Sequence, residues 1–387
     1  MARYKFWEPV LAGGTRDHVL DVIDRNFLNE GPITATLEEE AARFLGVRHA
    51  VATTSGTTAL FLALAACGIG PGDEVIVPDV TYVATANAVR LAGAEPRLVD
   101  IDPQTLCLDA DRLEAALSDR TRAIMPVHVS GRGAAMERIV AFAGRHGLRV
   151  IEDAAEALGS TYRGRSLGTW GDVGCFSFSP NKTVSCGQGG MMVTNDDHLQ
   201  LRLRQLKMQG RAERGTGGQD DHPTLGFNFK LTDLQAAVAL PQLRDLPARL
   251  DRQRRTYEIY AEVLGNAPGI RILPFDTAAG ETPQWTDALV DNRDGLADHL
   301  ASRGIGHRKF WYPVHRLTPY RLPDDEFLHS TAMSPLALWL PSALDLTDDD
   351  VRHVALVIRD WLVANQVGGG DAGLKADQGA GPWPRAI

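Results

Sequence analysis

Apolar positions recur every three to four residues over 34–46 (TATLEEEAARFLG). Leu37, Ala41, Phe44 and Leu45 share a face, Thr36 and Glu39 have capping-box spacing, and Gly46 is a stop signal. A helix is predicted there. His49–Thr53 reads as a short strand, Ser55–Gly56–Thr57 as a tight turn, and Thr58–Cys67 as a helix that ends at Gly68. The alternation then continues. Strands are predicted at Glu74–Pro78, Pro96–Val99, Ala123–Val127 and Val150–Glu152, and helices at Tyr82–Leu91, Asp109–Leu117 and Ala135–His146. Two further β-type runs, Cys175–Phe178 and Met191–Thr194, flank a loop. Strands alternating with helices of this length imply an α/β fold with a largely parallel sheet covered on both faces.

From His198 to Leu250 the pattern is helical on both sides of a polar, Gly-rich loop, Gly210–Thr224. Residues 231–240 (LTDLQAAVAL) make a short apolar helix, and Leu246–Leu264 a charged one that leads into a second αβ region, about Ile270–Leu362. The expected organisation is an N-terminal arm (1–30), a large domain (31–245), a smaller C-terminal αβ domain (246–365) and a disordered tail (366–387) rich in Gly, Ala and Asp. No internal repeat is visible.

Composition adds exclusions. At 387 residues the chain exceeds one ordinary core, so two domains are expected. A net charge of −9 and the lack of a Lys/Arg run argue against nucleic acid. The four cysteines are widely spaced without CxxC, so reduced thiols and no metal site are expected. No apolar run is long enough for a membrane span, and MARYKFWEPV lacks the layout of a signal peptide, which predicts a cytoplasmic protein.

Candidate chemistry centres on Gly171–Thr194. It holds Lys182, the one charge between Asp172 and Asp196. A lysine in neutral, half-buried surroundings loses proton affinity, which suits a Schiff-base lysine. Alone, the stretch also fits a surface lysine on a strand-to-strand loop. Ligands of α/β sheets sit beyond the carboxyl ends of the strands. Ser55–Thr57, the Asp79–Tyr82 loop, His128, Asp153 and Lys182 all fall at or near such ends. Gly56 and Thr57 open a helix and offer a phosphate seat. Tyr82 is an aromatic after a strand, Asp153 a strand-end carboxylate and Ser177 a strand hydroxyl. An aldehyde cofactor with a phosphate and a pyridine ring, pyridoxal 5′-phosphate, uses each of them.

The pieces SGTTAL (55–60), GPGDEVIVPDVTYVATANAV (70–89), IEDAAEALGS (151–160), CFSFSPNKT (175–183) and LGFNFKLTDLQAA (225–237) resemble the DegT/DnrJ/EryC1/StrS family of pyridoxal-phosphate sugar aminotransferases. The resemblance implies a type I aminotransferase fold. It makes Lys182 the covalent attachment point, sets Asp153 on the pyridine nitrogen and stacks Tyr82 on the ring. Glu156 touches the cofactor's other side, and Gly56, Thr57 and Ser177 hold its phosphate. Asn228 reaches the phosphate from the other subunit of a homodimer with shared active sites. His315, in YPVH, lies near the sugar. Glu156 equally suits a helix start, and His315 a packing corner. There are departures: Cys186–Gly190 reads CGQGG where many members have TGEGG, Ala135 replaces a frequent Asp, and Lys230 stands for an Arg whose fork contacts substrate phosphate. The implied reaction is transamination from glutamate to a nucleotide-linked keto-deoxy sugar, in the manner of GDP-perosamine-synthase-type members. An aminotransferase acting on a keto cyclitol and a non-catalytic cofactor-binding regulator are the competing readings.

Overall fold

The computed structural model describes residues 3–211 and 221–367. Seven strands form the larger sheet: β1 (His49–Thr53), β2 (Glu74–Pro78), β3 (Glu95–Val99), β4 (Thr121–Ile124), β5 (Arg149–Asp153), β6 (Val173–Ser177) and β7 (Gly190–Thr194). Their order is β1-β7-β6-β5-β4-β2-β3. The four pairings from β6 to β3 are parallel, and β7 runs antiparallel to both β6 and β1. β2, β6 and β7 are buried at every residue. They read as near-continuous apolar runs because both faces of the sheet are covered.

The helix Gly56–Ala66 (GTTALFLALAA) is apolar nearly all round and packs on β6 and β7. Its burial fixes its axis, so its N-terminus points reliably at one place at the sheet edge. The first long helix is Pro32–Leu45, which starts two residues before the predicted 34–46 and is not capped by Thr36. Its cap comes from elsewhere: the Asp233 carboxylate accepts from the N–H groups of Gly31 (2.9 Å), Ile33 (3.3 Å) and Thr34 (2.9 Å). Thr36 instead donates to the Pro32 carbonyl inside the helix, and Phe44 faces solvent while Leu37, Ala41 and Leu45 are buried. Gly46 ends this helix with φ 72°. The helix predicted from Tyr82 begins at Ala84, and Asp109–Leu117 breaks into a 3₁₀ turn and a single α-turn.

After the helix Leu246–Leu264 comes a second sheet: β8 (Ile270–Ile272), β9 (Thr286–Val290), β10 (Arg308–Lys309) and β11 (Ala337–Leu340), antiparallel in the order β8-β9-β11-β10. Its register sets Asp287, Trp339 and Arg308 in one row. Trp285, two residues before Asp287, falls on the same face. That face meets the larger sheet. Ser130 Oγ donates to Asp287 (2.8 Å), and Arg132 forms a buried ion pair with the same carboxylate (2.8 Å). The helix Asp348–Val367 covers the other side, packed on Leu246–Leu264.

The N-terminal segment carries a helix, Thr15–Asp24, packed on Asp233–Arg244. Trp7 in this segment donates to the Pro180 carbonyl (3.2 Å), beside the lysine loop. Residues 368–387 of the predicted tail and 212–220 of the Gly-rich loop lie outside the described residues. Among the described residues no helix is long and apolar enough to cross a membrane.

Candidate active site

The site is built where β1, β2, β5 and β6 end. After β1 the chain turns at Ser55, whose hydroxyl accepts from Thr58 N–H (3.1 Å) while Thr58 Oγ1 accepts from Ser55 N–H (2.9 Å). This capping box uses Thr58. The N–H groups of Gly56 and Thr57 are first-turn donors with no intrahelical partner. Gly56 is required for space: a Cβ there would stand 2.9 Å from Ser177 Cβ. Ser177, the last residue of β6, lies within 3.0 Å of the Ser179 hydroxyl. A helix N-terminus, two free amides and a hydroxyl therefore converge, and this suits a phosphate dianion.

Asp153 is the last residue of β5. Its carboxylate accepts from Thr85 Oγ1 (2.8 Å) and Ala155 N–H (3.1 Å). Burial raises its proton affinity above the ordinary value, offset by those hydrogen bonds and by the nearby Lys182 charge. A buried carboxylate of this kind is well placed to meet a protonated ring nitrogen.

Lys182 follows the turn at Ser179 and is mostly buried. Its surroundings are not neutral, as the local sequence suggested, because Glu156 comes to it from a different strand end. The Glu156 carboxylate lies 3.2 Å from Lys182 Nζ and also accepts from Ser130 N–H (2.9 Å). Burial raises the Glu156 proton affinity, with the Lys182 charge opposing. Nζ also lies 5.1 Å from the centre of the Trp285 ring.

These groups line one cavity of about 460 Å³. Gly56, Thr57, Tyr82, Asp153, Glu156, Ser177 and Lys182 all border it, and Tyr82 is exposed at its side. Its far wall comes from the small sheet: Trp285, Arg308 and Trp311, which the sequence reading did not single out. The sequence signal for this wall is the aromatic run Phe310, Trp311 and Tyr312 just before Pro313.

Three predicted residues lie elsewhere. Asn228 is exposed and Lys230 half-buried, and neither lines this chain's cavity. His315 is fully buried and does not line the cavity. Its Nδ1 lies 2.6 Å from Asp79 and its Nε2 2.9 Å from Asp324, while its N–H donates to Asp79 (2.7 Å). The strand-end Asp79 captures the ring and ties 313–316 to the large sheet. His128 is likewise internal: its Nδ1 accepts from Ala134 N–H (3.2 Å), and its Nε2 lies 3.0 Å from Glu152.

The donor set fits pyridoxal phosphate: an anion seat opened by a required glycine, a buried carboxylate, and an amine held by a second carboxylate. Fold and site together define an aminotransferase on a mostly parallel α/β sheet. The chain belongs to the DegT/DnrJ/EryC1/StrS aminotransferase family, which it matches over residues 12–359. It is 40% identical over 363 residues to GDP-perosamine synthase of Caulobacter vibrioides, covering 92% of this chain and 97% of that one. It is 34% identical over 364 residues to GDP-perosamine synthase of Vibrio cholerae, covering 92% and 98%. Among solved structures it is similar to S. venezuelae DesV in complex with a ketimine intermediate, with a TM-score of 0.86, 35% identity, and 90% and 94% of the two chains covered.

Proposed function

We propose that the chain transfers an amino group from glutamate to the keto carbon of a nucleotide-linked 4-keto-6-deoxy hexose, with pyridoxal phosphate as cofactor. The observation that carries this is the Lys182–Glu156 pair at 3.2 Å beside the buried Asp153, in a cavity that also holds the helix N-terminus at Gly56. Similarity to GDP-perosamine synthases supports the substrate class.

When bound, the cofactor supplies an electron sink for the charge left as a proton leaves carbon. The protein residues do the rest. Gly56, Thr57 and Ser177 hold the phosphate. Asp153 keeps a proton on the ring nitrogen. Lys182 is the attachment amine and, once released, carries the proton between donor carbon and cofactor at Nζ. Glu156 holds Nζ in place, Tyr82 covers one ring face, and Trp285 keeps water from the underside of Nζ. Asn228 and Lys230, outside this chain's cavity, serve the neighbour's site in a cytoplasmic homodimer. Residues 31–245 form the cofactor domain and 246–365 the smaller one.

The test is amine formation by purified protein on a panel of nucleotide keto sugars, detected by mass, with glutamate and glutamine as donors. A nucleotide-free keto cyclitol is the competing arm. Amination of the cyclitol alone would overturn the sugar assignment. For the shared site, Lys182→Ala and Asn228→Asp parents are mixed under subunit exchange. Recovery of up to about half the wild-type activity per heterodimer is expected, because one site then carries both lesions and the other neither.

A further inference from the structure

Two cations line the cavity, Lys182 and Arg308. Lys182 is paired with Glu156. Arg308 has no carboxylate partner among the described residues. Its guanidinium sits over the Trp339 ring, 5.3 Å from the centroid. That platform is rigid: Trp339 is fully buried, its Nε1–H donates to Ser130 Oγ (3.2 Å), and strand register sets it directly beside Arg308. A guanidinium stacked on a ring keeps its fork of N–H donors free for a planar or tetrahedral oxyanion.

The anions that line the cavity, Asp153 and Glu156, belong to the opposite wall. A second anionic group, beside the one seated at Gly56, meets Arg308 on the small-sheet side.

We propose that Arg308 forms the oxyanion subsite of the cavity. Arg308 takes the charged oxyanion of the bound substrate. The inference rests on the aminotransferase reading above, in which both substrates must reach Lys182 in turn. Each brings an oxyanion: a carboxylate on the amino donor, a diphosphate on the nucleotide sugar.

The test uses the cofactor-loaded protein and its Arg308→Gln and Arg308→Lys variants. Calorimetry measures binding of glutarate, an unreactive dicarboxylate, and of GDP, a nucleoside diphosphate. Arg308→Gln should weaken at least one probe by roughly tenfold or more, with partial recovery in Arg308→Lys. Cofactor absorbance should stay unchanged. Loss with glutarate alone assigns the subsite to the donor carboxylate, loss with GDP alone to the diphosphate, and loss with both to alternating use. Binding of both probes within about twofold of wild type, or no binding of either by wild type, overturns the subsite. Wild type that binds a probe through Arg308 but aminates no nucleotide keto sugar sinks the sugar assignment alone. Wild type that aminates sugars while Arg308→Gln binds normally sinks the subsite alone.

Discussion

On the wall built by the seven-stranded sheet, the side chains that face the chemistry already have partners: Asp153 has Thr85 and Ala155, Glu156 has Ser130 and Lys182, and Ser177 has Ser179. The opposite wall is made of rings packed on rings. Trp339 touches Trp285 (4.7 Å), Phe310 (4.7 Å) and Trp311 (5.0 Å), while Arg308 has no polar partner among the described residues. Chemistry needs donors fixed before substrate arrives, because reorienting them during the reaction costs rate. Selection needs area and a few open donors. We therefore expect one wall to set rate and the other affinity.

The largest effect should come from the first wall. Lys182→Ala should lower turnover by about 10³-fold or more. Borohydride reduction of the loaded wild type, followed by peptide mapping, should put the label on Lys182. A label on Lys207 or Lys230 would break the assignment.

Asp153→Asn should lower turnover by about 10²-fold or more while the protein stays folded. It has a second, pH-dependent signature. Burial raises the Asp153 carboxyl in the folded state. The cost of ionising it is therefore absent below the ordinary carboxylate range and appears as pH rises through the raised value. Without cofactor, the Asn variant should melt about 2 °C higher than wild type near pH 8, with no gain near pH 4. A gain that is the same at both pH values would mean that the charge is not its cause.

Arg308→Gln removes the guanidinium from the aromatic wall, so KM should rise by roughly tenfold with a smaller change in kcat. A kcat loss larger than the KM change would erase the division between the walls. Asp233→Ala touches neither wall. It should cost about 1–2 kcal/mol of stability through the lost helix cap, read as a lower Tm with KM unchanged.

The first wall was legible in the sequence because its residues follow strands directly. In a βα alternation, SGTT, EDAAE and SPNK reach the same sheet edge whatever lies between them. The second wall was not legible. Trp285, Arg308 and Trp311 meet only through the pairing of Asp287, Trp339 and Arg308 across three strands, and no short-range pattern sets that register. The start of the helix Pro32–Leu45 was misplaced for a related reason: its cap, Asp233, acts across 199 residues. His315 sat in a motif, but a motif does not show that Asp79 buries its ring. Glu156 beside Lys182 likewise depends on two strand ends meeting in space.

One strand also constrains how the protein is made. Among the described residues β1 has a single neighbour, β7, and that neighbour follows it in the chain only after five other strands of the same sheet. The ribosome releases residues 49–53 early, and they stay unzipped until 190–194 emerge. At about 5–20 residues per second this interval is on the order of ten seconds. The turn at Ser55–Thr57 hangs from β1, so the anion seat is absent through that interval and nascent chain cannot yet retain cofactor. Ribosome-bound chains stopped before residue 190 should be cut by protease near 49–57, and chains long enough to expose β7 should not.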